Sequence, residues 1–267
     1  APVREGRAGV QDEGSQLVAN ALAMAPLDGP DERWLDMCAG PGGKAALLAG
    51  LALERGASLV ANEIAPHRAE LVRRALRGYG DRLVGGDEGA DGRAEGADTV
   101  GAADHADAAN DAAADAGTEA ATPPRAGTLQ VIAADGIRAP WQPGVFDRVM
   151  LDAPCTGLGA LRRRPESRWR RGPEDLDRLT RVQRRLLSSA VDSVRPGGLV
   201  AYVTCSPHLE ETRDVVRQVV KARRDVERVD ARPLFPGVPD LGGGPDVQLW
   251  PHLHGTDAMY LALLRRS

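Results

Sequence analysis

Short apolar runs alternate along this chain with longer stretches in which apolar residues recur every three or four positions. Runs at Trp34–Met37, Leu59–Asn62, Leu129–Ala133, Arg148–Leu151 and Leu199–Thr204 predict five buried strands. Helices are predicted over Lys44–Glu54, over Pro66–Leu76 with proline in the first turn, over Leu176–Val194 and over Glu210–Ala222. The third carries Leu179, Val182, Leu186, Leu187, Ala190 and Val194, a stripe of helical period, and Pro196-Gly197-Gly198 is expected to stop it. Val247–Trp250 and Met259–Leu264 predict a closing hairpin. Strand and helix in alternation predict an α/β fold with a mostly parallel central sheet and helices on both faces. Residues 1–33 read as a lead-in with a short helix around Ser15–Met24, and residues 34–267 as the main domain.

One stretch breaks the alternation. Residues 85–127 are rich in Ala, Gly and Asp, with ten acids against two bases and no apolar periodicity. Such a segment buries too little surface to offset its ordering entropy, so a disordered surface insertion is expected. It also disguises the charge. The insertion carries −8 of a whole-chain −4, which leaves the remainder at +4. An acidic arm competing with nucleic acid for a basic face is the functional alternative. Aromatic residues make up 3% of the chain, so the core must rest on Leu, Val and Ala. Three cysteines with no framework spacing exclude a secreted disulfide scaffold. No CxxC or Cys/His spacing suits zinc, and His252 and His254 sit in a Pro/Gly-rich tail, so no metal is expected. No apolar run is long enough to span a bilayer and no signal peptide is apparent, so a cytoplasmic monomer is expected. The chain begins with Ala, as a fragment or processed product would.

The candidate chemistry lies at the predicted strand ends. Asp36-Met37-Cys38-Ala39-Gly40-Pro41-Gly42-Gly43-Lys44 ends a strand and opens a helix. Its glycines admit a ligand close to the backbone, and the helix start offers free N–H groups. It is neither a phosphate loop nor GxGxxG. Glu63 follows the second strand and is placed to accept ribose hydroxyls. Asp135-Gly136 follows the third and is placed to meet an adenine edge. Alone, each acid reads equally well as a helix cap or solvated turn. Together they favour a nucleoside site without a pyrophosphate. Cys38 by itself reads as a packing residue. Asp152-Ala153-Pro154-Cys155 and Thr204-Cys205-Ser206-Pro207 each follow an apolar run, so two thiols and an acid are expected to face one crevice. Beyond Cys155, Arg162, Arg163, Arg164, Arg168, Arg170 and Arg171 surround Trp169. Arginine pairs bidentately with phosphate and Trp stacks on bases, so this segment is a candidate RNA contact.

These residues resemble the RsmB/Sun/Nop family of RNA cytosine-5 methyltransferases. The likeness runs from Val10-Gln11-Asp12-Glu13-Gly14-Ser15-Gln16 to Arg266. Cys38–Lys44 resembles the family's cofactor loop. Leu151–Cys155 and Thr204-Cys205-Ser206 resemble its two-cysteine signature, and Arg162-Arg163-Arg164-Pro165 with Trp169 resembles its basic segment. The resemblance implies a class I Rossmann-like fold, S-adenosylmethionine as cofactor and RNA as partner. The likeness is strongest to bacterial members acting on 16S ribosomal RNA. The implied cofactor set is Cys38, Ala39, Gly40, Pro41, Gly42, Gly43, Lys44, Glu63, Arg68, Asp135, Gly136 and Asp152. Two departures stand out: the acidic insertion, and Asp257-Ala258-Met259-Tyr260 where the family often has Asp-Gly-Phe-Phe.

Cytosine C5 is a weak nucleophile. A thiolate adding at C6 makes an enamine whose C5 can take a methyl group, which divides one hard step into easier ones. Asp152 suits the N3 edge of the adduct. Lys44 is expected to orient Asp152 or depress a thiol pKa, or else simply to charge a helix start. The residues alone leave the order of the two thiols open. The resemblance assigns attack to Cys205 and release to Cys155. The same chemistry on transfer RNA, and a silent RNA-binding assembly factor, are the rival readings. Intact Cys155, Cys205 and Asp152 argue against the second.

Overall fold

The computed structural model describes residues 2–3, 8–84 and 125–267. The acidic run, apart from residues 125–127, lies outside the described residues. The strands are β1 (Arg33–Asp36), β2 (Ser58–Asn62), β3 (Leu83–Val84), β4 (Leu129–Ile132), β5 (Phe146–Asp152), β6 (Val194–Thr204), β7 (Val226–Val229), β8 (Val247–Gln248) and β9 (Tyr260–Arg266). The helices are α1 (Glu13–Met24), α2 (Gly43–Glu54), α3 (Pro66–Leu76), the single turn α4 (Ser167–Arg170), α5 (Pro173–Ser193), α6 (Arg213–Ala222) and the single turn α7 (Pro251–His254).

The strands make one sheet in the order β3-β4-β2-β1-β5-β6-β9-β7, with β8 paired to β9. β1 lies parallel between β2 and β5. The chain winds outward from β1 through β2 and β4, then returns to place β5 on the other side. Ligands in such sheets collect at this reversal, beyond the strands' carboxyl ends. Among the described strands only β9 runs against the rest: it is antiparallel to β6, β7 and β8.

Helices cover both faces. On one, Val18, Leu22, Leu48, Ala49 and Val72 from α1, α2 and α3 pack with Trp34, Leu59 and Leu129. On the other, Leu186, Leu187, Ala190, Val215 and Val219 from α5 and α6 pack with Leu35, Val149 and Val200. The lead-in helix is therefore part of the core, capped by the Asp12 carboxylate on the Ser15 N–H. Two internal charges anchor the lower end. Arg148 spans the Asp31 carboxylate at 2.7 and 2.8 Å, and Asp147 accepts the Glu32 and Arg33 N–H groups at 2.9 Å.

Several elements differ from expectation. α5 ends at Ser193, and Pro196-Gly197-Gly198 runs inside β6 rather than stopping the helix. A Cβ on Gly198 would stand 2.8 Å from the Asp147 carbonyl, so glycine serves there to let two strands approach. α6 starts at Arg213 because Leu209–Glu211 forms a tight 3-10 turn first. β3 and β7 escape prediction because one is two residues long and the other is an edge strand, VERV, with one buried side chain. Among the described residues no helix is long and apolar enough to cross a membrane.

Candidate active site

The loop after β1 is shaped by close approach. Gly42 has φ +112°, and a Cβ there would meet Ala75 at 2.6 Å; a Cβ on Gly40 would meet the Glu63 carboxylate at 2.2 Å. Ala39 N–H donates to the Asn62 carbonyl at 2.8 Å, and the Asn62 amide donates to the carbonyls of Met37 and Ala134 at 2.9 and 3.1 Å. Three strand ends are thereby fastened together. Glu63, buried, accepts the N–H groups of Gly40 and Ala65 at 3.1 Å, and Arg68 returns a bond to the Gly40 carbonyl at 2.9 Å. Glu63 thus braces the turn. Asp135 caps a 3-10 turn, accepting the Ile137 N–H at 2.9 Å, with Gly136 buried behind it. Glu63, Asp135 and Gly136 are not among the residues lining the cavity described next.

That cavity, about 230 Å³, is lined by Asp36, Cys38, Ala39, Gly40, Pro41, Gly43, Lys44 and Arg68 on one side and by Asp152, Cys155, Arg163, Arg164 and Cys205 on the other. A roomier cleft of about 800 Å³ lies between Trp141 and Arg185 and contains no cysteine. Chemistry, not volume, selects the smaller one. The Cys155 and Cys205 sulfurs stand 3.5 Å apart as free thiols. Lys44 Nζ donates to Asp152 at 2.8 Å. The Cys155 thiol is pushed well up, first by its bond to Cys205 and then by burial. The Cys205 thiol is held down, first by that same bond and, against the cost of burial, by the Lys44 ammonium. Burial alone would lower Lys44, but Asp152 more than offsets it and the ammonium is held above its usual range. Of the two sulfurs, Cys205 is the one whose ionised form its surroundings favour. Burial pushes Cys38 well up as a thiol, as befits a packing residue.

Asp36, at the end of β1, is fully buried with neither carboxylate oxygen hydrogen-bonded among the described residues. Burial, then the nearby Asp152, push its carboxyl up to about 8. A buried polar group left open on a cavity wall fits a cationic ligand group.

The basic segment divides. Arg162 pairs with Asp12 at 2.6 Å, and Arg163 forks onto Asp257, whose N–H reaches Asp12 at 3.2 Å. These two arginines clasp the segments before α1, after Cys155 and before β9 into one wall. Gly159 threads through it: its N–H meets the Cys205 carbonyl at 2.9 Å, its carbonyl takes the Ala258 N–H at 2.9 Å, and a Cβ would strike Ala258 at 2.3 Å. Arg164 faces the cavity. Trp169 is 81% exposed with Arg168 stacked 5.3 Å from its ring centre. Sequence reasoning passed over Asp12, Asp36, Asp257 and Gly159 as site residues. Asp36 alone carried a usable signal, as an acid directly before the glycine loop.

A glycine turn at the reversal of a doubly wound sheet, an open buried acid and two thiols on the neighbouring strand ends define a Rossmann-like methyltransferase. Comparison with known proteins gives the family. Residues 21–91 and 116–265 match the sequence pattern of 16S rRNA methyltransferase RsmB/F. Over its whole length the chain is 49% identical to Rv1407 of Mycobacterium tuberculosis, whose name proposes methyltransferase activity and no substrate, covering 48% of it. It is 31% identical over 98% of its length to ribosomal RNA small subunit methyltransferase B of Shewanella oneidensis, covering 49% of that protein. The crystal structure of PH0851 superposes on all of this chain and 48% of that one, with TM-score 0.74 and 25% identity. The chain belongs to the RsmB/F family of S-adenosylmethionine-dependent RNA cytosine-C5 methyltransferases. It spans about half the length of the relatives it matches.

Proposed function

We propose that this chain transfers a methyl group from S-adenosylmethionine to C5 of a cytosine in 16S ribosomal RNA, through a covalent bond between Cys205 and C6. The observation that carries this reading is the pair of unlike thiols 3.5 Å apart beside the Lys44–Asp152 ion pair. When bound, S-adenosylmethionine supplies an electrophilic methyl on a sulfonium.

The chain's own residues fit that cofactor and divide the remaining work. The turn Cys38–Gly43 with Lys44 receives it, Glu63 and Arg68 brace the turn, and the open Asp36 carboxylate suits its ammonium. Asp135 and Gly136 remain for the nucleoside's base edge. Cys205 adds to C6 as its thiolate while N3 of the target base takes up a proton from solvent, relayed through the Asp152 carboxyl group that Lys44 fixes. This polarises the ring so that C5 becomes nucleophilic. Cys155 acts in release: the C5 proton is lost to solvent, the C5–C6 double bond re-forms as the C6–S bond breaks, and the Cys205 thiolate leaves. The target cytosine must leave its stack to reach both sulfurs. Arg168 and Trp169 meet RNA outside the cavity and Arg164 meets it at the cavity wall, while Arg162 and Arg163 serve chiefly to build that wall.

The test is methyl transfer from labelled cofactor to protein-free small-subunit ribosomal RNA, with the product base identified by mass spectrometry. Label in 5-methylcytosine at one position is expected. Label confined to transfer RNA in a parallel reaction, or to another base, would overturn the assignment.

A further inference from the structure

The residues that follow the two cysteines give their side chains to one buried carboxylate. Thr156 follows Cys155 on the loop after β5, and Ser206 follows Cys205 on the loop after β6. Glu211, fully buried, accepts the Thr156 N–H at 2.9 Å, the Thr156 hydroxyl at 2.5 Å and the Ser206 hydroxyl at 2.6 Å. The Gln183 amide, from α5, donates to the same carboxylate and to the Pro154 carbonyl, both at 2.9 Å. Ser206 Oγ accepts the His208 N–H at 3.1 Å, which leaves its own proton for Glu211. The Tyr202 hydroxyl holds the Glu211 carbonyl at 2.8 Å.

Burying a carboxylate is costly unless donors compensate it. Four converging donors compensate it, and an ionised carboxylate is the side chain that accepts from all four and offers none in return. An amide in its place would turn two N–H groups toward donors already there. The two loops come from different strands, and this single group touches both, one residue away from each sulfur.

We infer that Glu211 is a positioning residue that sets the separation and aim of Cys155 and Cys205. The inference rests on the methyl-transfer reading above, in which the two thiols act in turn on one base. Glu211 itself touches neither sulfur; it acts through Thr156 and Ser206. Each donor therefore has its own expected effect. Loss of the Ser206 hydroxyl loosens Cys205 and slows attack, whereas loss of the Thr156 hydroxyl loosens Cys155 and slows release.

The experiment uses the intact chain with S-adenosylmethionine and small-subunit ribosomal RNA. Glu211→Gln is expected to lower kcat at least tenfold while KM for cofactor and RNA stays within twofold. Ser206→Ala in a Cys155→Ala background should slow covalent adduct formation severalfold. Thr156→Val, with both cysteines intact, should make the normally transient adduct accumulate. Should Glu211→Gln fail to fold, these two milder variants decide. Alkylation of Cys205 by iodoacetamide needs no RNA, and its rate should change at least threefold in Glu211→Gln. If the unaltered chain neither methylates RNA nor forms an adduct, the methyl-transfer reading fails, while the alkylation rates still judge Glu211. Turnover and alkylation within twofold of the unaltered chain would overturn the inference. So would a loss of kcat matched by an equal loss of cofactor affinity, or Ser206→Ala and Thr156→Val slowing the same step.

Discussion

Strands β1 and β5 lie side by side, and each delivers an aspartate to the same cavity. Asp36 is sealed, without a hydrogen bond among the described residues, and its carboxyl is pushed up to about 8 by burial. Asp152 stands slightly further out, with 27% of its side chain exposed, and is tied to Lys44 at 2.8 Å. The lesson is that a partner, more than a position, decides what a carboxyl group is for. On the methyl-transfer reading, the unpaired acid is left for a charge that a ligand brings. The paired one is already fixed in direction, as a group acting on a base edge must be.

The comparison can be broken at its stronger end first. Asp152→Asn should cost about 10³-fold in kcat, since it removes a group meeting the reacting ring, while cofactor binding measured by calorimetry falls far less. Lys44→Met leaves Asp152 as unpaired as Asp36 and removes the cation that helps hold the Cys205 thiol down. A loss of roughly 10²-fold in kcat is expected, together with a thiol-alkylation profile displaced to higher pH. An unmoved profile would remove Lys44 from the electrostatic account.

Asp36→Asn probes the weaker end. With the folded carboxyl raised from 3.8 to about 8, the native state holds a proton that the unfolded chain has lost. Stability is therefore fully present below pH ~4 and falls as pH rises toward ~8, by up to about 1.4 kcal/mol per pH unit. Denaturant titrations of the ligand-free chain should show this slope, and Asp36→Asn should flatten it while weakening cofactor binding about tenfold at pH 8. The smallest effect belongs outside the cavity. Trp169→Ala should leave the thermal midpoint unchanged and weaken RNA binding by about 1 kcal/mol, the lower end for a lost stacking contact.

Much of this architecture was legible in sequence because its strands end in chemistry. α3 has the bounds its pattern predicts, Pro66–Leu76, since proline fixes its start and a regular apolar stripe its length. The two cysteine loops announced themselves by following apolar runs. What stayed hidden joins residues far apart in the chain. Asp12 and Asp257 meet across 245 positions, and no local pattern pairs them with Arg162 and Arg163. Read locally, those arginines look like a free basic patch, although tertiary structure spends both on ion pairs. Glu211 sits in Leu209-Glu210-Glu211, which reads as a solvated helix start, yet Leu209 and Glu210 face outward while Glu211 is buried. Buried polar networks are set by the fold as a whole, and periodicity records only which positions are apolar.

The central claim is that Cys205 attacks and Cys155 releases. It is tested most directly by incubating Cys155→Ala with small-subunit ribosomal RNA and S-adenosylmethionine, then mapping the protein–RNA bond by peptide mass spectrometry. The account predicts an accumulating adduct on Cys205, and none in Cys205→Ala. An adduct on Cys155 in the Cys205→Ala chain would contradict it.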